Sequence, residues 1–174
     1  MNTTQTWTQP SPYGDLIISA GPAGVTSVRL NSSKRGRASP SRDGALPKAP
    51  REYRAIASAF ERYFAGDAHA LDRVTIDLSG VQSDFQRTVL QTLRQLVPPG
   101  LTMSYGELAA ASGRPGAARA VGAAMANNPV PLIVACHRVL ASDGTLHGYG
   151  GGLDMKRRLL AMEGAQLSAK AARR

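Results

Sequence analysis

Apolar residues follow two different rhythms along the chain. Between Pro12 and Leu30 they form short runs set between turn residues. Leu16-Ile17-Ile18 and Val25-Thr26-Ser27-Val28 are bounded by Pro12-Tyr13-Gly14 and Gly21-Pro22-Ala23-Gly24. That spacing predicts an antiparallel pair of strands. From Glu52 to Phe64 the rhythm changes: Tyr53, Ile56, Ala57, Phe60, Tyr63 and Phe64 recur at helical spacing, with Gly66 as a stop. Val74-Thr75-Ile76-Asp77-Leu78 alternates as a third strand should. Residues 1–80 thus read as a small α+β unit without a catalytic signature, serving as support.

A second unit, expected over residues 81–167, reads as mainly helical. Asp84 is placed to cap a helix whose Phe85, Val89, Leu93 and Leu96 share one face, until Pro98-Pro99-Gly100 ends it. Ser104 and Glu107 stand in capping-box spacing at the start of a helix through Ala111. After the turn Ser112-Gly113-Arg114-Pro115-Gly116 comes a helix over 117–126. Ala118, Ala120, Gly122, Ala123 and Ala124 surround its one charge, Arg119. Helix, short glycine-containing turn and helix is the helix-turn-helix pattern, which ordinary helical hairpins share. Small side chains would let this backbone approach another surface closely. They offer few donors for base edges, so such a helix would read shape and backbone with little sequence preference. A closing helix is expected from Asp154 to Glu163, with Leu159, Leu160 and Met162 facing inward and Gly164 as its stop.

Charge adds to this picture. Among 174 residues, 21 Lys and Arg against 12 Asp and Glu give a net charge of +9. An excess of this size points to a polyanion, with nucleic acid first. Part of it is uncommitted: Lys34, Arg35, Arg37, Arg42, Lys48 and Arg51 lie in or next to a Ser/Pro/Gly/Ala-rich stretch at 31–50 that reads as a loop. Lys170, Arg173 and Arg174 lie in a basic tail at 168–174. A hydrophobic fraction of 43% fits a globular chain. No apolar run approaches a membrane span, and residues 1–11 lack the pattern of a signal peptide. A single cysteine allows no internal disulfide, which fits a reducing cytoplasm. It also excludes a cysteine-rich zinc site, and His69, His137 and His147 lack metal-ligand spacing, so no metal and no cofactor are expected.

That cysteine is the main candidate for chemistry. Cys136 ends the run Asn127-Asn128-Pro129-Val130-Pro131-Leu132-Ile133-Val134-Ala135 and is followed by His137-Arg138-Val139. The thiolate is the nucleophile, and a neighbouring imidazole and guanidinium are the kind of cations that lower a thiol's pKa. Free cysteines also serve as small buried hydrophobes. The stretch 140–152 tips the balance towards a site. It carries five glycines and Tyr149, which suits a loop approaching a flat aromatic ligand.

Several motifs stand in order: Phe85-Gln86-Arg87, Ser104-Tyr105-Gly106-Glu107-Leu108, Gly113-Arg114-Pro115-Gly116-Ala117-Ala118-Arg119-Ala120-Val121-Gly122, Asn128-Pro129, Cys136-His137-Arg138-Val139, Gly148-Tyr149-x-Gly151-Gly152 and Lys156…Leu159-Leu160…Glu163-Gly164. Together they resemble the O6-alkylguanine-DNA alkyltransferase family over residues 84–164. The match over 12–78 is looser, chiefly Ser11-Pro12-Tyr13-Gly14 and Tyr63-Phe64-Ala65-Gly66. The resemblance implies a ribonuclease-H-like N-terminal domain and a winged helix-turn-helix C-terminal domain. It further implies a single-turnover, cofactor-free transfer of an alkyl group from O6-alkylguanine in double-stranded DNA to Cys136, by a monomer in the cytoplasm.

The resemblance also implies roles. Cys136 would be the acceptor, His137 the base acting through a bridging water, and Glu163 the carboxylate orienting that imidazole. Asn128 would brace the active-site turn, Tyr105 would donate to guanine N3, and Lys156 would be an accessory cation near the leaving oxygen. Pro131, Val139, Tyr149 and Gly150 would line the guanine pocket. Ala118 and Gly122 would face DNA, with Arg119 filling the space left by the flipped nucleotide. Cys136 and His137 are expected in an extended segment, where neighbouring side chains diverge, so a water relay suits them better than direct contact. His147 is expected to be an exposed loop residue. Three departures from the family pattern stand out. Ala135 replaces a proline, so a looser turn with one extra N–H to satisfy is expected. Leu90 and Arg158 stand where tryptophans are frequent. Two other readings remain: a lesion-binding protein without transfer, which the cysteine argues against, and a helix-turn-helix regulator, for which no sensor segment is visible.

Overall fold

The computed structural model describes residues 3–30 and 47–167. Most of the basic stretch expected at 31–50, and the tail at 168–174, lie outside the described residues. The chain divides into two compact units, Met1–Asp77 and Leu78–Arg174. Its mixed helices and small sheets make it an α+β protein.

The N-terminal unit is built on a three-stranded antiparallel meander of β1 (Gln5–Gln9), β2 (Leu16–Gly21) and β3 (Gly24–Leu30). Trp7 pairs with Ile18 and Ile18 with Val28, so one face carries an apolar row across all three strands. The sequence pattern had indicated β2 and β3 but not β1. Gln5-Thr6-Trp7-Thr8-Gln9 alternates correctly, yet Trp7 is its only apolar residue, and Gln9 points inward beside it. Val74–Leu78 is not a strand. It makes a single parallel bridge, in which Val25 N–H donates to Thr75 O at 2.9 Å and Asp77 N–H to Val25 O at 2.9 Å. Its close approach requires a glycine at Gly24, where a Cβ would stand 2.6 Å from Thr75 O. A short 3-10 turn at Arg51–Tyr53 leads into α1 (Arg54–Phe64). Tyr53 stacks on Trp7 at 5.4 Å between ring centroids, and Phe60 and Tyr63 are fully buried.

In the C-terminal unit, α2 (Asp84–Leu96) is capped by Ser83, whose hydroxyl accepts from Gln86 N–H at 3.2 Å. Asp84 is therefore the first helical residue and not the cap, where its charge still suits the N-terminus. Val89, Leu90 and Leu93 form the buried face, while Leu96, expected on it, is half exposed. Leu90 thus packs inward at the position where a larger aromatic was expected. Two short strands then set the geometry of everything downstream. β4 (Met103–Ser104) pairs in parallel with β5 (Val139–Leu140), aligning Met103 with Val139 and Ser104 with Leu140. The residue leaving β4 is Tyr105 and the residues entering β5 are 136–138, so this pairing brings distant segments together.

Helix α3 (Tyr105–Ala111) starts with the expected capping box: Ser104 Oγ accepts from Glu107 N–H at 3.2 Å, and Ser104 N–H donates to Glu107 Oε2 at 2.8 Å. Helix α4 (Ala118–Ala126) follows a turn and packs against α2 and α3. Gln86 of α2 donates to the Asn127 carbonyl at 2.9 Å, tying α2 to the end of α4. Helix α5 (Leu153–Met162) buries Met155, Lys156, Leu159 and Leu160; Met162 is only partly covered. Among the described residues, no helix is long and apolar enough to cross a membrane.

Candidate active site

Residues 128–138 form a tightly cross-braced turn that presents the thiol. Asn128 uses both ends of its carboxamide: Nδ2 donates to Val134 O at 2.8 Å and Oδ1 accepts from Val130 N–H at 3.0 Å. Val134 N–H returns to Val130 O at 3.0 Å, and Pro131 and Val134 form a bridge. Within this loop Leu132 takes a φ of +74°, rare for a branched side chain, and its burial holds it there. Ala135 has φ −77° and ψ 67°, and Cys136 N–H donates to Val134 O at 2.8 Å. Those values describe an inverse γ-turn. The turn is therefore closed at the position where replacement of proline was expected to loosen it. Pro131 sits within it, partly covered.

Cys136, His137 and Arg138 form a 3-10 helix and are all buried. The segment is not extended as expected, but at three residues per turn neighbouring side chains still diverge. Burial pushes the Cys136 thiol above its ordinary 9.0, against the opposing pull of a hydrogen bond from Asn128, the Lys156 charge and the N–H groups of Cys136 and His137. At neutral pH the sulfur is therefore a protonated thiol, and it needs a base.

His137 is fully buried. Its Nε2 lies 2.9 Å from Glu163 Oε1, while Nδ1 is buried without a hydrogen-bond partner among the described residues. Burial holds the imidazole below its ordinary 6.5, overcoming the attraction of Glu163. A neutral ring hydrogen-bonded through one nitrogen leaves the other as a proton acceptor. Glu163 is claimed from a second side as well. Arg138 Nε donates to Oε2 at 2.8 Å and Nη2 to Oε1 at 2.9 Å, while Nη1 donates to Val97 O at 2.7 Å. Burial alone would raise the Glu163 carboxyl, but Arg138 and His137 bring it down to about 2.

The sequence pattern missed Arg138 in this role. Its guanidinium was expected beside the thiol, and it is spent on Glu163. The pairing follows from burial, since a buried carboxylate requires a partner and Arg is the residue suited to a bidentate one, but the sequence does not show that Glu163 is buried. The cation acting on Cys136 is instead Lys156. Its side chain is fully buried, and Nζ donates to Val139 O at 2.7 Å and His147 O at 2.9 Å. Burial lowers this ammonium to about 8, with the Cys136 charge opposing.

Two aromatic rings complete the cluster. Tyr105 is raised above its ordinary 10.0 by burial and by Cys136, which keeps its hydroxyl a proton donor. Its ring meets the edge of His147 at 6.3 Å between centroids, and Tyr149 meets His137 at 6.2 Å. His147 is exposed, as expected, yet its carbonyl helps to hold Lys156. Gly150 lies on the exposed loop before Gly152, whose φ of +89° turns the chain into α5. The structure thus gathers Cys136, His137, Glu163, Asn128, Lys156, Val139, Tyr105 and Tyr149. Ala118, Arg119 and Gly122 stand apart on α4. Arg119 is exposed, and no hydrogen bond or ion pair joins it to this cluster among the described residues. No group of His, Cys, Asp and Glu among the described residues is arranged to hold a metal ion.

Comparison with known proteins bears on the same region. The family model described as the DNA-binding domain of 6-O-methylguanine DNA methyltransferase matches residues 84–165. A methylated-DNA--protein-cysteine methyltransferase of Mycolicibacterium paratuberculosis is 43% identical over 90% of each chain. The crystal structure of Mycobacterium tuberculosis OGT in complex with DNA superposes with a TM-score of 0.74 at 39% identity, covering 91% of this chain and 92% of that one. The O6-methylguanine-DNA methyltransferase of the archaeon Pyrococcus kodakaraensis gives 0.64 at 26% identity, over 94% and 100% of the two chains.

Proposed function

The chain belongs to the methylated-DNA--protein-cysteine methyltransferase family, and from that premise we propose that it repairs O6-alkylguanine in duplex DNA by moving the alkyl group onto Cys136. The observation that carries this reading is the chain's only cysteine held as a buried thiol beside a neutral imidazole whose Nδ1 is unpartnered. That is a nucleophile with its base ready.

The roles that the family resemblance implies fit this arrangement. The thiol proton passes through a bridging water to His137 Nδ1 as Sγ attacks the alkyl carbon in line. The C–O6 bond breaks, and its electron pair leaves with the guanine. Tyr105 donates to guanine N3 as negative charge develops there. Lys156 places a positive charge close to both sulfur and leaving base, and the loop carrying Tyr149 and Gly150 lines the guanine pocket with Pro131 and Val139. Helices α3 and α4 act as a helix-turn-helix, the β4–β5 pair serving as a minimal wing. The exposed Arg119 fills the stack when the base is extruded, a step the chemistry requires because a thiol buried in the protein cannot reach the alkyl carbon in line while the base stays stacked in the duplex. The meander and α1 support a ribonuclease-H-like reading of the N-terminal unit, whose work is structural. We take the protein to act as a monomer in the cytoplasm.

A thioether is a poor leaving group, and no second thiol can regenerate Cys136, so each molecule acts once. Incubation with duplex containing O6-methylguanine should add one methyl per molecule, mapped to Cys136, with Cys136→Ser binding DNA and gaining none. Repaired product exceeding the protein several-fold would overturn the stoichiometric reading. A lesion-binding protein would stay unmodified in the same experiment.

A further inference from the structure

Glu163 is more tightly held than a carboxylate that merely orients an imidazole needs to be. Both its oxygens are taken by Arg138, and Oε1 is shared with His137. The guanidinium is anchored in turn by Val97 O at the end of α2, so its fork cannot swing away. Two bonds of 2.8 and 2.9 Å from one buried side chain, itself tethered at 2.7 Å to Val97 O, fix the carboxylate in a single plane.

We propose that Arg138 is a positioning residue for alkyl transfer: by pairing Glu163 it fixes His137 as the neutral Nε2–H tautomer, with Nδ1 turned into the proton acceptor for Cys136. A carboxylate accepts only, so the 2.9 Å contact requires the proton on Nε2. With the ring neutral, the lone pair must then lie on Nδ1, the atom left without a partner among the described residues. Facing Glu163 alone, a buried imidazole would be drawn towards imidazolium and would arrive at the reaction with no site for the thiol proton. Arg138 satisfies most of the carboxylate's charge beforehand. The groups around the ring divide as this requires: Arg138 and Lys156 oppose a positive charge, Glu163 favours it, and burial opposes it. Tyr149 meets His137 ring to edge, and Cys136 is a protonated thiol at rest.

This inference rests on the repair reading, and its test separates the two. The tautomer and titration of His137 are read by side-chain 15N NMR without any transfer. Transfer itself is timed against pH with the free base O6-benzylguanine, which needs no DNA. The parent protein should show a protonated Nε2 and a bare Nδ1. In Arg138→Met, His137 should titrate about one pH unit or more higher, and the acid limb of the rate profile should move with it. Arg138→Lys, which keeps the charge and loses the fork, should restore most of that shift. A parent with Nδ1–H, or an Arg138→Met profile merely scaled down with an unmoved titration, would overturn the proposal. If Arg138→Met does not fold, the parent tautomer and Arg138→Lys still decide: a titration displaced as far in Arg138→Lys as neutralising the group would displace it counts against a role for the charge. A parent that transfers nothing sinks the repair reading; one that transfers with Nδ1–H sinks only the role of Arg138.

Discussion

Among the described residues of the N-terminal unit, the buried side chains are Trp7, Leu16, Ile18, Phe60, Tyr63 and their apolar neighbours, and Gln9 is the one polar residue in that class. In the C-terminal unit His137, Arg138, Lys156 and Glu163 are all buried, in hydrogen-bonding reach of one another or of nearby carbonyls. Desolvating an ion costs several kcal/mol even after relaxation, and a buried ion pair is often no more stable than a well-packed apolar replacement. The first unit packs side chains that carry almost no charge. The second accepts an electrostatic burden around one thiol, the pattern on which the candidate site rests.

The strongest way to break this comparison is to damage each core in its own manner. Phe60→Ala removes a fully buried ring from the apolar unit and should lower stability by about 3–5 kcal/mol. Transfer from O6-benzylguanine per folded molecule should stay near the parent rate. Glu163→Ala leaves Arg138 buried without its partner and should cost a similar amount. It should also slow transfer, because His137 loses its anchor. Denaturant unfolding and single-turnover kinetics read the two quantities separately. Equal kinetic losses in both variants would erase the distinction between the units.

The buried ions also give the C-terminal unit a pH signature with two opposite limbs. Glu163 falls from an ordinary 4.5 to about 2 on folding, so the unfolded chain binds the extra proton between those values. Its contribution, roughly 3 kcal/mol, is fully present above pH 4.5 and is lost as pH falls towards 2. Lys156 falls from 10.5 to about 8, so here too the unfolded chain holds more protons between those values. Stability therefore rises by roughly 3 kcal/mol from this group as pH climbs from 8 to 10.5, because a buried charge is relieved. Unfolding midpoints across pH should show the acid loss vanish in Glu163→Gln and the alkaline gain vanish in Lys156→Met. Apolar-core variants such as Phe60→Leu should keep both limbs.

The contrast also governs what could be read in advance. Elements whose apolar residues recur regularly, such as β2, β3, α1 and α2, were legible because one face is buried and periodicity reports it. Exceptions arise where tertiary contacts decide. Trp7 alone carries β1, and Val74–Leu78 alternates like a strand yet makes only one bridge. Leu96 continues the α2 stripe past the point where the core ends. The candidate site residues were singled out through residue types at particular spacings, with the resemblance proposing their roles, and the fold brings most of them together. What stayed hidden was partnership. Nothing in a linear pattern says that Arg138 serves Glu163, 25 positions away, and not its neighbour Cys136. Such a pairing is set by the fold, through the β4–β5 register and the C-terminal end of α5.

A smaller effect is expected outside the buried cluster. Arg119 is exposed and unpaired among the described residues, unlike the basic residues of the site. If its task is to occupy the stack left by a flipped base, Arg119→Ala should slow repair of duplex by about tenfold or more, since flipping involves a few kcal/mol. O6-benzylguanine, which needs no flipping, should react at the parent rate. Equal losses on both substrates would place Arg119 in the scaffold.

The smallest effect should come from Ala135, where the active-site turn takes the conformation of a residue it does not contain. Its φ of −77° lies within the range a pyrrolidine ring imposes. The bonds that close the turn come from the N–H groups of Val130, Val134, Cys136 and Arg138, so removing the Ala135 N–H breaks none of them. Ala135→Pro would therefore restrict the unfolded chain without disturbing the folded one, stabilising by about 0.4–1 kcal/mol. In a domain of this size that is a rise in Tm of about 1–4 °C. Transfer should be unchanged or slightly faster, because the γ-turn presenting the thiol is already formed with alanine. A lower Tm, or a transfer rate several-fold faster, would show instead that alanine leaves this turn looser than its geometry implies.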